Sequence, residues 1–160
     1  MSKSESQWLR KMKDDVRVFY EIPREEQTEK IALTAVRHLA PLILDVRDDL
    51  KTESFCLKAV KKNPYVIEFI KEQTEEMCLT AVRKDPFCFN FIKDKTNDII
   101  LKSIEIDLSI LKALDEQPEE LCLKAIELNP KSIHYIRNQT HEMIALAYEK
   151  DPQVLSGVVV

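Results

Sequence analysis

Apolar and polar residues follow a pattern that repeats about every 22 residues after Gln27. In nearly every block, positions 4 and 6 are large and apolar, position 8 is small and position 9 is apolar. Repetition at such a period is typical of repeat proteins, in which each unit covers the apolar face of its neighbour. Six blocks follow one another: 28–51, 52–73, 74–95, 96–117, 118–139 and 140–160.

Two helix-start signals in each block predict a pair of helices. Position 1 is threonine in five blocks, a favourable N-cap, and Pro118 in the fifth. Position 12 is Asn or Asp in the last five blocks, and proline follows it in four of them. Proline suits the first position of a helix, because its missing N–H group needs no partner there. We therefore expect a helix of about ten residues, a tight turn and a second helix of about eight residues.

Helices this short are marginally stable in water when isolated. The pattern therefore predicts an all-α fold, an α-solenoid of about six 22-residue helix-turn-helix repeats over residues 28–160, within a single domain. Residues 104–110 alternate like a β-strand, but their register in the repeat predicts helix there too.

The segment 1–27 predicts an N-terminal amphipathic capping helix that covers the open end of the stack. The alternative is a helix that binds a partner. At the other end, the valines of 158–160 are expected to cover the last repeat, and a C-terminal peptide ligand for a partner is the less favoured alternative. The apolar residues on one face of the first segment are Trp8, Leu9, Met12, Val16, Phe19 and Tyr20, and Pro23 is expected to end the helix.

Residues 76–85 and 120–129 carry the series E-x-x-L-x-A-(V/I)-x-x-(D/N). Over about residues 28–155, the chain resembles a short two-helix repeat family of unknown function from bacterial, protist and large-virus proteins. That family usually has glycine after the Asn, where this chain has proline. The resemblance implies the all-helical repeat fold and no catalytic chemistry.

The composition excludes several classes of site. A single glycine, Gly157, leaves no room for a phosphate-binding loop, a G-x-G-x-x-G motif or a G-x-S-x-G nucleophile elbow. The net charge of −4 indicates no strongly basic domain, so general binding to nucleic acid is not the first expectation. No apolar run reaches the ~18 residues of a membrane span, and the N-terminus has no signal-peptide core. We expect a cytoplasmic protein with reduced thiols and no membrane partner.

The residues that most often carry chemistry have simpler structural interpretations here. Cys56, Cys78 and Cys122 share position 5 and, like Cys88, are expected in the core; no C-x-x-C pair predicts zinc. His141 begins a metalloprotease-like series, but Ala145 stands where the second histidine ligand is needed. Carboxylates gather at helix starts, where the helix dipole explains them. We therefore predict no cofactor, no metal, no catalytic residue and no enzyme activity.

A ladder of charges at positions 10 and 11 is the strongest candidate for a binding site. In a stack of repeats these positions align along one surface, which begins basic and becomes acidic with apolar residues. The alternative is that they are helix-end charges on a solvated face. A rival surface is formed by positions 17 and 20. The predicted partner-binding residues are Arg37, Lys61, Lys62, Arg83, Lys84, Ile106 and Leu128.

These features predict a non-enzymatic protein–protein interaction module, an adaptor or a stoichiometric inhibitor of a larger protein. The alternative is a nucleic-acid-binding helical repeat that uses the basic stripe; a hydrolase or metal enzyme is less favoured. Aromatic residues among the bases would support nucleic acid, but we expect Tyr65, Phe69, Phe87 and Phe91 in the core. Another protein is thus the expected partner, and homo-oligomerisation remains open.

Overall fold

The computed structural model describes residues 3–156, with the backbone alone at Lys3. All regular secondary structure in this range is helical, which confirms the predicted all-α fold. In the segment 104–110, helical residues lie on both sides of Asp107, whose backbone is extended. None of the described helices is both long and apolar enough to cross a lipid bilayer. The α-helices in this range are α1 (Lys3–Asp14), α2 (Glu29–His38), α3 (Glu53–Lys62), α4 (Glu75–Lys84), α5 (Asn97–Ile106), α6 (Glu119–Leu128) and α7 (His141–Lys150).

The helices from α2 to α7 begin where the sequence predicts. The hydroxyl of Thr52 accepts a hydrogen bond from the N–H of Phe55 at 3.2 Å, and the other four threonines at position 1 do the same. Pro118 makes no side-chain cap for α6. Each of these six helices has ten residues and ends before position 12, whose backbone is extended.

The second element of the repeat differs from the prediction of an eight-residue α-helix. It is a six-residue 3-10 helix, and the last block has only a turn at 152–156 in the part that the structure describes. Position 12 starts it, because Asn63 Oδ1 accepts a hydrogen bond from the N–H of Tyr65 at 3.2 Å. Three residues per turn place positions 16 and 19, such as Ile67 and Ile70, on one buried face. These 3-10 helices are Ala40–Asp45, Pro64–Phe69, Pro86–Phe91, Leu108–Ala113 and Pro130–Tyr135.

Residues 3–27 follow the order of the repeat, an α-helix and then a 3-10 helix, and do not form one capping helix. After α1, Asp15 accepts a hydrogen bond from the N–H of Arg17 at 2.9 Å, just as Asn63 does for its own 3-10 helix. The 3-10 helices Val16–Glu21 and Arg24–Glu26 follow. Helix α1 packs against α2, as expected of a cap, and the predicted tail contact of 158–160 lies outside the described residues.

The chain forms two compact units, one ending at Lys93 and the other beginning at Asp94. In the first unit α2 packs on α3 and α3 on α4, and in the second α5 packs on α6 and α6 on α7. Within each unit the 3-10 helices also pack on one another. Each unit therefore has an α-helical layer and a 3-10 layer, and one continuous domain over 28–160 stays a prediction.

Small residues at position 8 line the interior of both units. Ala59, Ala81 and Ala125 are fully buried, and Ser103 takes the same place in α5. The Ser103 hydroxyl is buried and has no hydrogen-bond partner within the described range. The prediction that the cysteines lie in the core is confirmed, because all four side chains are buried.

Glutamines at position 22 fasten neighbouring 3-10 helices. Gln73 Nε2 donates to the carbonyl oxygens of Ile67 at 2.8 Å and Phe91 at 3.0 Å, and its Oε1 accepts from the N–H of Lys93 at 2.9 Å. Gln117 makes the same three contacts in the second unit, with distances of 2.7, 3.1 and 2.8 Å. One side chain thus satisfies main-chain groups of two successive repeats. The signal in the sequence was the recurrence of glutamine at position 22. A glutamine at a turn is ordinarily taken to be exposed to solvent, so the pattern alone did not indicate these contacts.

Candidate binding surface

The predicted basic residues lie at the carboxyl ends of α2, α3 and α4, all within the first unit. Arg37, Lys61, Lys62, Arg83 and Lys84 are exposed. Asn63 holds two of these helix ends together, because its Nδ2 donates to the carbonyl oxygen of Val36 at 2.9 Å. The structure therefore brings the basic part of the predicted ladder together.

Most of these cations are available to a partner. Lys61 Nζ lies 3.7 Å from Glu76 Oε1, and both side chains are more than half exposed. Such an exposed ion pair contributes little stability and exchanges readily. Among the described residues, Arg37, Lys62, Arg83 and Lys84 form no ion pair.

Two aromatic residues expected in the core lie on the surface. Tyr65 is 39% exposed and Phe87 is 59% exposed, while Phe69 and Phe91 are half-buried. The prediction was wrong because it used α-helical spacing for a 3-10 helix. With three residues per turn, positions 14 and 17 point outwards while positions 15, 16 and 19 are buried.

The exposed rings are held in place by their neighbours. The ring centroid of Phe91 lies 6.2 Å from that of Tyr65 and 5.6 Å from that of Phe87, both in edge-to-face geometry. The Tyr65 hydroxyl donates a hydrogen bond to Asp85 Oδ2, and this bond to the carboxylate raises the pKa of Tyr65. Asn90 Nδ2 donates to the Phe87 carbonyl oxygen at 2.9 Å. The rings therefore form an ordered surface.

The bases and the rings form one surface. Tyr65 follows Lys62, and Phe87 follows Lys84, by three residues, which span at most about 11 Å of chain. The hydrogen bond between Tyr65 and Asp85 also joins the turns after α3 and α4. We call this surface the basic–aromatic edge, and it consists of Arg37, Lys61, Lys62, Tyr65, Arg83, Lys84 and Phe87.

The equivalent helix ends of the second unit are acidic. Glu105, Glu127 and Glu149 are exposed at position 10 of α5, α6 and α7. Leu128 is 49% exposed, as predicted, but Ile106 is only half-exposed. We call Glu105, Glu127, Leu128 and Glu149 the acidic edge.

Total charge divides the same way as the two edges. The chain up to Lys93 carries 17 Lys and Arg against 16 Asp and Glu, whereas the chain from Asp94 carries 7 against 12. The first unit is therefore close to neutral, with five of its 17 bases on the basic–aromatic edge, and the second unit is acidic as a whole.

The rival surface at positions 17 and 20 has a structural role at position 20. Lys93 Nζ donates to the carbonyl oxygen of Ile70 at 2.7 Å. Arg137 Nη2 donates to the carbonyl oxygens of Leu114 at 2.7 Å and Asp115 at 2.9 Å. Both cations connect successive repeats, which leaves them less available for a partner than the basic–aromatic edge.

Two grooves indent the first unit. One, of about 410 Å³, runs along α2 and includes Arg37 and Lys62, so it adjoins the basic–aromatic edge. The other, of about 430 Å³, lies between the 3-10 helices of the first two repeats and includes Leu44, Phe69 and Cys56. Burial raises the pKa of the Cys56 thiol, which makes it a poor nucleophile at neutral pH.

The described residues bring few reactive groups together. No three His, Cys, Asp or Glu side chains among residues 3–156 are grouped as metal ligands would be. The shifted carboxylate pKa values belong to exposed ion pairs; the pKa of Glu120, for example, is lowered by a hydrogen bond from Lys124. The geometry offers ordered surfaces for binding.

Comparison with known protein families, curated proteins and solved structures gave no match. The resemblance to the two-helix repeat family of unknown function, drawn from residues 76–85 and 120–129, therefore stays a prediction.

Proposed function

We propose that the protein is a non-enzymatic protein-binding module whose basic–aromatic edge holds an acidic segment of another protein. One observation carries this proposal. Tyr65 and Phe87 are exposed and fixed by Phe91 beside cations that form no ion pair within the described chain. Exposed rings grouped in this way are characteristic of interaction surfaces.

Each component of the edge has a distinct part in such binding. Aromatic rings supply a large contact area, and their fixed orientation lowers the entropy lost on binding. The cations attract a carboxylate-rich segment and hold its orientation. The partner segment is therefore expected to contain both acidic and apolar side chains. By occupying that segment, the protein acts as an adaptor or as a stoichiometric inhibitor of the larger partner.

Single-stranded nucleic acid is a second candidate, favoured by the same exposed rings. Bases stack on aromatic side chains while lysine and arginine contact the phosphates. Against this candidate, Asp85 lies within the ring cluster and the chain has a net charge of −4. Both features repel any acidic ligand, and they repel most strongly a nucleic acid, which carries a charge on every nucleotide. A protein segment in which apolar side chains separate the acidic ones is therefore the better-supported partner.

The test measures two fluorescent probes with the full chain: a twelve-residue peptide of alternating Glu and Leu, and an oligothymidylate of similar charge. We expect the peptide to bind more tightly, and both Phe87→Ala and the triple variant Lys62→Glu, Arg83→Glu, Lys84→Glu to weaken it about tenfold or more. The matched control reverses three exposed bases outside the edge: Arg10→Glu, Lys13→Glu and Lys71→Glu.

Equal peptide binding by the triple variant and the control would contradict the proposal. Tighter binding of oligothymidylate, lost in the triple variant and in Phe87→Ala, would establish the nucleic-acid candidate instead. Far-UV circular dichroism of each variant serves as the control that the helices are retained.

A further inference from the structure

The acidic edge is opposed by local helix electrostatics. Glu105, Glu127 and Glu149 are the next-to-last residues of their helices, where the helix dipole is negative and carboxylates are unfavourable. The same position in the first unit carries Arg37, Lys61 and Arg83, which the dipole favours. Local stability therefore accounts for the basic column but not for the acidic one.

Compensation of these carboxylates within the described part of the chain is limited to Glu127, which Lys124 attracts across one helical turn without forming an ion pair with it. Glu105, Glu127 and Glu149 are all exposed, and none forms an ion pair with a described residue. The exposed Leu128 lies beside Glu127. Residues that oppose a local preference without a compensating contact are expected where a protein meets a partner.

We propose that the acidic edge binds the basic–aromatic edge of a second copy of this chain. The two edges are opposite in charge, with three carboxylates facing three cations at the same position of the repeat. The exposed Leu128 provides an apolar contact for the exposed Tyr65 and Phe87.

The spacing of the two ladders supports this pairing. Both are built from ten-residue helices that pack side by side within their own unit, so successive charges lie one helix apart in each ladder. Neighbouring helices pack about 8–10 Å apart. Three carboxylates at one spacing therefore align with three cations at the same spacing, whichever way the two copies run.

The inference uses the same edge as the proposed function, although it does not require an acidic partner to exist. Because one surface serves both contacts, a second copy and the partner compete for it. Raising the concentration of the protein would therefore lower its apparent affinity for the acidic peptide, which links self-association to partner binding.

The first measurement is the mass of the full chain by sedimentation equilibrium at about 0.02 M and 0.5 M salt. At low salt we expect the average mass to rise above 18.7 kDa as the protein concentration increases. At high salt it should return to the monomer mass, because the Debye length falls from about 20 Å to about 4 Å. Weak complexes have dissociation constants between about 1 μM and about 1 mM, so a concentration of about 0.1 mM should populate the associated form. A chain that stays monomeric at this concentration and at low salt overturns the inference.

The second measurement exchanges the charges between two variants. One replaces Arg37, Lys61 and Arg83 with Glu; the other replaces Glu105, Glu127 and Glu149 with Lys. Each variant alone is expected to be monomeric, because both of its edges then carry the same sign. An equimolar mixture should associate again, since the two edges that were altered are now complementary to each other.

The control triple variant Arg10→Glu, Lys13→Glu, Lys71→Glu should associate like the unmodified chain. If circular dichroism shows that both exchanged variants are folded and their mixture still remains monomeric, the pairing is contradicted. The variant with Lys at 105, 127 and 149 also separates the two proposals. If it still binds the acidic peptide while the unmodified chain never associates, the inference fails and the proposed function stands.

Discussion

The two units share a buried pattern but differ in the column of charges at the helix ends. Position 9 is a buried Val or Ile from α2 to α6, whereas position 10 is basic in the first unit and acidic in the second. The exposed rings of Tyr65 and Phe87 have Ser109 and Lys131 as their counterparts. Stacking and recognition are thus encoded by separate columns of one repeat, so the two can be altered independently.

The largest expected effect tests whether the two cores are equivalent. Ile67 and Leu111 occupy position 16 in the first and second units, and both are fully buried. Replacing either with Ala should lower the free energy of unfolding by about 2–5 kcal/mol, because burial is lost and a cavity remains. Urea denaturation followed by circular dichroism measures this. An effect well under 1 kcal/mol in one unit would show that its core is not packed like the other.

The fastening glutamines should matter about equally in both units. Gln73→Leu and Gln117→Leu each remove three hydrogen bonds to main-chain groups. We expect a loss of about 1–3 kcal/mol in each case, since two carbonyl groups and one N–H lose their partner.

Glutamate at the same positions sharpens this measurement. Gln73→Glu keeps an acceptor for the N–H of Lys93 but cannot donate to the carbonyl oxygens of Ile67 and Phe91 at neutral pH. The midpoint temperature of thermal unfolding should therefore be lower for Gln73→Glu than for the unmodified chain. If the glutamate variant matches the original glutamine in stability, the donated bonds have no fastening role.

Alkaline pH should destabilise the chain partly through Cys88 in the first unit. Burial raises the pKa of this thiol from 9.0 to about 11, so the unfolded chain releases the proton at a lower pH than the folded one. The stability is intact below pH about 9 and falls as the pH rises towards about 11.

The measurement compares the pH dependence of unfolding in the original chain and in Cys88→Ala. The original chain should lose up to about 2 kcal/mol more than the variant between these pH values. Cys122→Ala is the matched variant in the second unit, where burial also raises the thiol pKa. Parallel curves for the original chain and Cys88→Ala would contradict the expectation.

The smallest expected effect is a gain of stability in the second unit. Position 8 is alanine in α2, α3 and α4, but Ser103 takes this position in α5, where its buried hydroxyl has no hydrogen-bond partner among the described residues. Ser103→Ala should raise the free energy of unfolding by about 1 kcal/mol, because a desolvated group without a partner is removed.

Ser132→Ala is the matched control for this gain, since the Ser132 hydroxyl donates to the carbonyl oxygen of Ala125 at 2.9 Å. That variant should lose about 0.5–1.5 kcal/mol. Denaturant titration measures the free energy of unfolding of both variants. A loss of stability in Ser103→Ala would mean that the Ser103 hydroxyl has a hydrogen-bond partner.

Periodicity predicted the α-helices because capping and burial act in the same direction in each block. Thr52 and Thr74 cap helices whose buried residues recur at the expected positions. The 3-10 helices were not predicted, because Asn or Asp followed by proline is a start signal for either kind of helix. Their brevity depends on packing against neighbours and on the glutamine contacts, which a residue pattern does not contain.

The error at Phe87 follows from the same cause. A helix of 3.6 residues per turn would bury position 14, and one of three residues per turn exposes it. The predicted cationic half of the site needed only the register of α2 to α4, whereas its aromatic half needed the correct kind of helix. The prediction therefore found Lys62 and Lys84 but placed the rings beside them in the core.

The fastening glutamines have a further consequence for how such a chain can change. The hydrogen bonds by which Gln73 and Gln117 join successive repeats go to main-chain atoms, so these joining contacts make no demand on the adjoining side chains; Gln73 Oε1 also accepts a hydrogen bond from the Cys78 thiol. The charge at a helix end can therefore change from positive to negative while the glutamine contacts between successive repeats are retained. The specificity of binding can therefore change by substitutions in one repeat at a time, while the fold of the chain is conserved.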